Sequence, residues 1–145
     1  MRPVRPLILA VAVALTACDD PSGPDSMYLG YIATEEMLPE INVMQTDSAL
    51  YIEVHTFGLN SCHIQATTDV DVDADARTIT VRPFDRIDGD DCRDIVVTIT
   101  HQAWVQIDES GTWVVRVKGI RYDGADNDPH TVEVEYAANL DAIDS

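Results

Sequence analysis

The sequence predicts an all-β domain, an antiparallel sandwich of about seven or eight short strands closed by one disulfide. From Ile41 onward, apolar and polar residues alternate with a period of two, which is typical of strands that bury one face. Polar turn signals separate the alternating runs, and no long stretch follows the helical period of 3.6 residues. Two cysteines, Cys62 and Cys92, lie within the alternating part of the chain.

The inward-facing residues can be read from one predicted strand to the next. Ile41 and Val43 begin the series, and His101 shares the parity of its neighbours, so it faces inward or marks a bend between sheets. The other residues predicted to face inward are Leu50, Ile52 and Val54; Ile64 and Ala66; Val70 and Val72; Ile79 and Val81; Ile95, Val97 and Ile99; Ala103, Val105 and Ile107; and Trp113, Val115 and Val117. Val132, Val134 and Tyr136 are predicted to form the last strand.

Turns and strand ends are predicted from local chemistry. Thr46-Asp47-Ser48 and Ala74-Asp75-Ala76 are expected to be turns, and Asp108 to Gly111 a hairpin turn in which glycine takes a positive φ. Pro83 is expected to end its strand because proline has no amide hydrogen for the sheet, with a polar loop over residues 85–91.

The sequence leaves the secondary structure of the N-terminal segment and of the C-terminal tail undecided. Residues 28–32 are compatible with a first strand, and residues 34–38 with a single helical turn that Pro39 stops. The tail from Ala137 is expected to form a short helix or to fray.

The segment Gly111-Thr112-Trp113-Val114-Val115-Arg116-Val117 resembles the penultimate-strand signature Gly-x-aromatic-x-Val-x-Val of bacterial Ig-like and PKD-like domains. The resemblance covers this segment alone. It implies an Ig-like architecture and no activity, because such domains serve as spacers, adhesins and binding modules. The chain departs from antibody-type domains, since no tryptophan lies midway between Cys62 and Cys92.

The N-terminal residues have the order expected of a secretory signal peptide. Arg2 and Arg5 precede an apolar run from Leu7 to Leu15, which is too short for the roughly 20 residues that span a bilayer. Small Ala17 then follows, as a processing site requires, and Cys18 comes directly after it.

Leu15-Thr16-Ala17-Cys18 resembles the lipobox of bacterial lipoproteins. The resemblance implies that Cys18 carries lipid on its sulfur and becomes the N-terminus, which places the protein on the cell membrane or outer membrane, facing the periplasm or the exterior. The alternative is an ordinary signal peptide with Cys18 merely near the cut. The lipoprotein interpretation divides the chain into a signal peptide (1–17), a lipidated acidic tether (18–26) and a β-sandwich domain (27–145, with its core at about 41–137).

The charge balance limits the partners. Residues 1–17 contain two basic residues and no acidic ones, so the mature chain would hold 7 basic and 26 acidic residues, a net charge of −19. This argues against nucleic acid, whose phosphates require Lys and Arg, and against docking on anionic headgroups, so the membrane contact is expected through the lipid. Solubility through like-charge repulsion explains the charge better than an acidic binding face.

The remaining cysteines are predicted to form a disulfide. With Cys18 lipidated, Cys62 and Cys92 are left in an exported protein, where two thiols usually pair. The alternative is a metal site of Cys62, His63 and Cys92, but this spacing resembles no zinc motif.

Acidic residues suggest a weak calcium site as an alternative function. The run from Asp69 to Asp75 fails as an EF-hand because Ala74 and Thr80 stand where glycine and glutamate are required. Oxygen ligands on two acidic loops are the better candidates. These residues are Asp85, Asp88, Asp90 and Asp91, and Asp123, Asp126 and Asp128.

No catalytic pattern is found in the sequence. No serine lies in a Gly-x-Ser-x-Gly elbow, and the histidines at positions 55, 63, 101 and 130 are scattered, although His55 and His63 could approach each other. Trp104 has outward parity and is a candidate contact point. We therefore expect a non-catalytic, extracytoplasmic binding or structural module without a cofactor, with an envelope protein as its possible partner. The alternatives are a weak Ca²⁺-binding adhesion-type domain and a small cell-envelope enzyme.

Overall fold

The computed structural model describes residues 26–33, 41–46, 49–122 and 129–140. Within these ranges the chain forms nine strands and no helix, which confirms the all-β class. The number of strands is larger than the predicted seven or eight because two short strands form near the N-terminus. The strands are β1 (Tyr28–Leu29), β2 (Tyr31–Ala33), β3 (Ile41–Gln45), β4 (Leu50–Gly58), β5 (His63–Asp73), β6 (Thr78–Ile87), β7 (Val97–Val105), β8 (Gly111–Tyr122) and β9 (Pro129–Leu140).

All nine strands belong to one hydrogen-bonded sheet. β4 pairs antiparallel with β7 along its whole length on one side and with β3 on the other. β6 and β8 pair in parallel, and each also pairs antiparallel with the strand beside it in sequence, β5 and β9 respectively. Tyr31 of β2 joins these halves by pairing with Phe57 of β4 and Ile120 of β8. The parallel pairs β6–β8 and β2–β8 depart from the purely antiparallel prediction.

The two halves of the sheet share one hydrophobic core, as the predicted sandwich requires. Alternate residues of β4, β7 and β8 are buried, so the predicted inward faces of these strands are confirmed. Each fully buried aliphatic or aromatic side chain stabilises the fold by roughly 1.5–3 kcal/mol. The core reaches beyond the expected range 41–137. Its members are Ile32, Leu50, Ile52, Val54, Ile79, Val81, Ala103, Val105, Ile107, Trp113, Val115, Val117 and Ala138.

The prediction that Pro83 ends its strand is wrong. β6 continues through Pro83 to Ile87, so Asp85 lies within a strand rather than in a loop. Proline is tolerated beside irregular pairing, and the neighbouring strand β5 shifts register between Gln65 and Thr67 at this level. The alternation of β6 therefore carries Asp85 into the interior.

Val70, Val72 and Ile95 were predicted to face inward, and the structure contradicts this. Val70 and Val72 are 36% and 43% exposed although each pairs with a buried residue of β6. β5 pairs only with β6 among the described strands, so this part of β5 is an outer edge. Ile95 is 48% exposed because it precedes β7 in the loop.

The turn between β5 and β6 agrees with the prediction, whereas the segment before β8 and the C-terminal segment do not. The β5–β6 hairpin closes through residues 74–77. Gly111 takes the expected positive φ, 124°, but β7 and β8, both within the described ranges, do not pair with each other, so residues 108–111 link the two strands without forming a hairpin. The turn predicted at residues 46–48 lies partly outside the described residues. The chain after Ala137 stays in strand β9 as far as Leu140, so the expected short helix does not form in the described part. Among the described residues, no helix is long and apolar enough to cross a membrane.

The predicted disulfide is confirmed. Cys62 and Cys92 are bonded, with their Cα atoms 5.3 Å apart and a sequence separation of 30. The bond ties the β4–β5 turn to the long β6–β7 loop. Backbone hydrogen bonds reinforce the same contact, from Asp88 N to the Cys62 carbonyl at 2.8 Å and from Ser61 N to the Arg93 carbonyl at 2.9 Å.

Candidate functional site

A buried polar cluster interrupts the apolar core. Asp85 of β6, His101 of β7 and Thr56 of β4 are each 0% exposed. His101 Nε2 lies 2.9 Å from Asp85 Oδ1, and the Thr56 hydroxyl donates to Asp85 Oδ2 at 2.8 Å. On the other side of the ring, His101 Nδ1 hydrogen-bonds Thr68 Oγ1 at 3.0 Å. Both ring nitrogens and both carboxylate oxygens therefore have partners, which buried polar groups require.

Gly30, between β1 and β2, covers this cluster. A Cβ atom at this position would lie 2.6 Å from both Asp85 Oδ2 and Thr56 Cγ2, so only glycine lets the backbone pass this closely. The Gly30 N–H donates to the Pro83 carbonyl at 2.8 Å, and its own carbonyl accepts from Ile120 N at 2.9 Å. A substrate cannot reach these buried side chains, so we interpret the cluster as structural.

His63, at the start of β5, borders the same region. The hydroxyl of Tyr28 hydrogen-bonds His63 Nδ1, and the two rings meet edge to face with centroids 5.7 Å apart. Burial lowers the pKa of His63, and the nearby Asp85 carboxylate offsets only part of that effect. His63 is therefore neutral near pH 7.

This lowered pKa predicts an acid-dependent loss of stability. Below the ordinary histidine pKa of about 6.5, the unfolded chain binds a proton that the folded chain still excludes, so the free energy of unfolding falls as the pH decreases. Urea unfolding at pH 7 and pH 5 should show a smaller difference for His63→Gln than for the parent. His130→Gln, on exposed β9, is the matched control and should keep the parental difference. An unchanged profile in His63→Gln would contradict the prediction.

The outer face of β3, β4 and β7 carries an exposed apolar row. Met44, Tyr51 and Trp104 are direct cross-strand neighbours in the register. Trp104 is 66% exposed and Met44 is 56% exposed. The rings of Tyr51 and Trp104 have centroids 4.8 Å apart, with their planes inclined by 49°. The outward direction of Trp104, predicted from parity, is confirmed.

A polar row of Asn42, Glu53 and Gln102 runs beside the apolar row. The Tyr51 hydroxyl donates to Glu53 Oε2 at 2.6 Å, and Gln102 Nε2 donates to the same oxygen at 3.3 Å. His55 Nε2 lies 3.4 Å from Glu53 Oε1. The hydrogen bond from Tyr51, followed by that from Gln102, lowers the pKa of Glu53, and the same bond raises the pKa of Tyr51. Glu53 is thus a fixed carboxylate at neutral pH.

We call these two rows together, Met44, Tyr51, Trp104, Asn42, Glu53 and Gln102, the aromatic face. A groove of about 350 Å³ opens at its β3 end, within the range of small-ligand sites. Tyr136 of β9, 43% exposed, forms the far wall. The groove is lined by Ile41, Asn42, Val43, Met44, Tyr51, Glu53 and Tyr136.

No protein-family model matches this chain, and no curated protein or solved structure matches it significantly.

The predicted calcium ligands are not gathered in the described part of the chain. Asp85, assigned to a loop by sequence, is sealed in the core and cannot be a surface ligand. Asp88 pairs with Arg86 at 3.3 Å, and Asp90 and Asp91 are exposed. Within the ranges that the structure describes, no group of three or more His, Cys, Asp and Glu residues could hold a metal ion. Three further candidates, Asp123, Asp126 and Asp128, and the predicted lipidation site at Cys18 lie outside those ranges.

The histidines are distributed rather than collected. His55 pairs with Glu53 on the outer face, whereas His63 contacts Tyr28. His101 faces inward, as its parity predicted. Sequence reasoning missed the polar row beside Trp104. The alternation of β4 indicates that Glu53, the carboxylate of this row, faces outward. Its neighbours Asn42 and Gln102 follow only from the register of β4 with β3 and β7.

Proposed function

We propose that this chain is a lipid-anchored extracytoplasmic module that binds rather than catalyses, and that the aromatic face is its binding surface. The observation that carries the proposal is the exposure of Trp104 beside a carboxylate that is already held in place. Trp104 is continuous with Tyr51 and Met44, and a contiguous exposed apolar patch is more typical of an interaction site than a single exposed residue is. Tyr51 and Gln102 fix Glu53 before any ligand arrives, which reduces the ordering cost of binding.

The His101–Asp85 contact is buried, and this burial supports a non-catalytic role. Asp85 and His101 have no exposed surface, and a general acid or base must reach its substrate within hydrogen-bond distance. The groove beside the aromatic face and a second groove of about 170 Å³ between β3 and β9 are lined by no histidine. These observations favour a binding module over the envelope enzyme.

The anchor is supported by the lipobox resemblance at Cys18. β1 begins at Tyr28, so the lipidated residue would be only ten positions from the first strand. Even fully extended, such a segment spans no more than about 36 Å, at roughly 3.3–3.6 Å per residue. A domain held this close to the membrane meets envelope components at high local concentration.

One experiment tests both parts of the proposal. The exported Cys18→Ser chain should be soluble, and it is mixed with purified cell envelopes, sedimented and quantified. Trp104→Ala in this background should lose most of the sedimenting fraction because the exposed ring is removed. Val96→Ala, which trims an equally exposed apolar side chain in the β6–β7 loop, should sediment as before. If the Cys18→Ser chain stays in the membrane fraction of the cells that express it, the lipid anchor is contradicted. If the Cys18→Ser chain and its Trp104→Ala and Val96→Ala variants all sediment equally with the added envelopes, the binding face is contradicted.

A further inference from the structure

We infer that the aromatic face binds a neutral, equatorially β-1,4-linked pyranose chain, with one sugar ring stacked on the Tyr51–Trp104 pair. This inference rests on the proposed function and names the ligand class of the same surface. Both the backbone of a cell-wall glycan and a β-1,4-glucan are chains of this kind.

The two rows match the two kinds of surface on such a sugar. An equatorially substituted pyranose presents axial C–H groups on both ring faces, which pack on aromatic rings, while its hydroxyls point outward in the ring plane. Tyr51 and Trp104 provide adjacent rings 4.8 Å apart. The polar row of Asn42, Glu53 and Gln102 lies two residues further along each strand, at roughly 6.7 Å.

The polar row has the donors and acceptors that sugar hydroxyls need. Carboxylate oxygens accept, and each amide side chain both donates and accepts, so hydroxyls can bond in either direction. Glu53 remains charged because its pKa is lowered by the Tyr51 hydrogen bond, and a fixed carboxylate is a strong acceptor for a hydroxyl. The groove beyond Met44, with Tyr136 as its wall, gives the chain room for a second ring.

Size favours a sugar over a protein partner. A stable protein interface buries about 800 Å² and 20–30 residues on each side. The aromatic face comprises six side chains with a groove of about 350 Å³ beside them, which is the scale of a small-ligand site.

Charge also favours a neutral ligand. The full chain has a net charge of −17, which disfavours polyanionic glycans and anionic headgroups. A basic peptide would meet a single carboxylate among the six side chains of the aromatic face, that of Glu53. The face thus presents one fixed acceptor rather than an acidic patch.

The test is a titration of the exported Cys18→Ser chain with chitohexaose and cellohexaose, followed by calorimetry and tryptophan fluorescence. Trp113 is 2% exposed, so a fluorescence change on binding should come from Trp104. Trp104→Ala should weaken binding about tenfold or more, as loss of a central aromatic anchor does, and Val96→Ala should bind as the parent does. Binding of only one hexaose identifies the source. Maltohexaose, whose α-linkages curve the chain, should bind more weakly.

Hexalysine distinguishes the competing ligand class. Sugar binding should persist between low and high salt, whereas a charge-driven peptide complex should weaken steeply with salt. Salt-sensitive binding of hexalysine without binding of either hexaose would overturn the inference. If neither hexaose binds and Trp104→Ala nevertheless fails to sediment with envelopes, the glycan inference fails and the proposed binding face stands. If Trp104→Ala neither changes sedimentation nor weakens sugar binding, both fail.

Discussion

Replacing Asp85 with alanine is expected to lower the free energy of unfolding by about 3–5 kcal/mol, the cost of removing one partner of a buried pair. The carboxylate has no exposed surface, and its two oxygens serve His101 Nε2 and the Thr56 hydroxyl. In the variant both groups stay buried without this acceptor, which costs the desolvation of each unpaired group. This loss is a large fraction of the roughly 5–15 kcal/mol by which a typical domain is stable. Urea denaturation followed by circular dichroism measures the change.

Two variants show whether the cluster, and not the loss of any aspartate, causes the effect. Asp88→Ala removes a carboxylate whose side chain is 60% exposed and paired with Arg86, and it should change the stability by less than about 1 kcal/mol. In a double-mutant cycle, Asp85→Leu and His101→Leu should together cost less than the sum of the two single changes, because each single change leaves the other group unpaired. A loss below about 1 kcal/mol in Asp85→Ala, or additive effects in the cycle, would contradict this role of the cluster.

This buried cluster also shows where sequence reasoning succeeds and where it stops. Strict alternation located the core of β4, β7 and β8, because a two-residue period permits only one buried face. The same parity placed His101 inside. The rule that proline ends a strand overrode the pattern at Pro83, although Ile79, Val81, Pro83 and Asp85 keep one parity. Following parity through the proline would have placed Asp85 inside as well.

Pairing between distant strands could not be predicted in the same way. Parity indicated that Trp104 faces outward, but it does not reveal that Tyr51 lies opposite it or that Gln102 contacts Glu53. Those neighbours depend on the register of β4 against β7 and β3, which the intervening turns and loops determine. The parallel contact of β6 with β8 was unforeseen for the same reason, since the hairpins on both sides suggest only antiparallel neighbours.

The sequence pattern also does not predict which residues are exposed at the edge of the sheet. Val70 and Val72 have the alternation of a half-buried strand, and their partners Val81 and Ile79 are indeed buried. The pattern reports that one face is apolar, but whether another strand covers that face is a property of the whole fold. Among the described strands, β5 pairs only with β6, and its valines remain accessible.

Removing the Cys62–Cys92 bond is expected to cost about 3–4 kcal/mol, because a crosslink across 30 residues restricts the unfolded chain. The loop that it closes contains β5 and β6, so it includes the core residues Ile79 and Val81 and also Asp85, the acceptor of the buried cluster. Cys62→Ser, in a Cys18→Ser background that excludes a third thiol, should melt well below the parent and leave Cys92 open to alkylation. Differential scanning calorimetry and thiol labelling measure both effects.

The double variant Cys62→Ser/Cys92→Ser separates the crosslink from thiol chemistry. It should melt close to the single variant, and reductant should lower the melting temperature of the parent to about the same value. Hydrogen exchange should increase first in the β6–β7 loop, because its backbone contacts to the opposite turn are few and lie beside the crosslink, from Asp88 to Cys62 and between Ser61 and Arg93. A serine variant that melts with the oxidised parent would mean that the apolar core and the buried Asp85 cluster alone hold the two halves together.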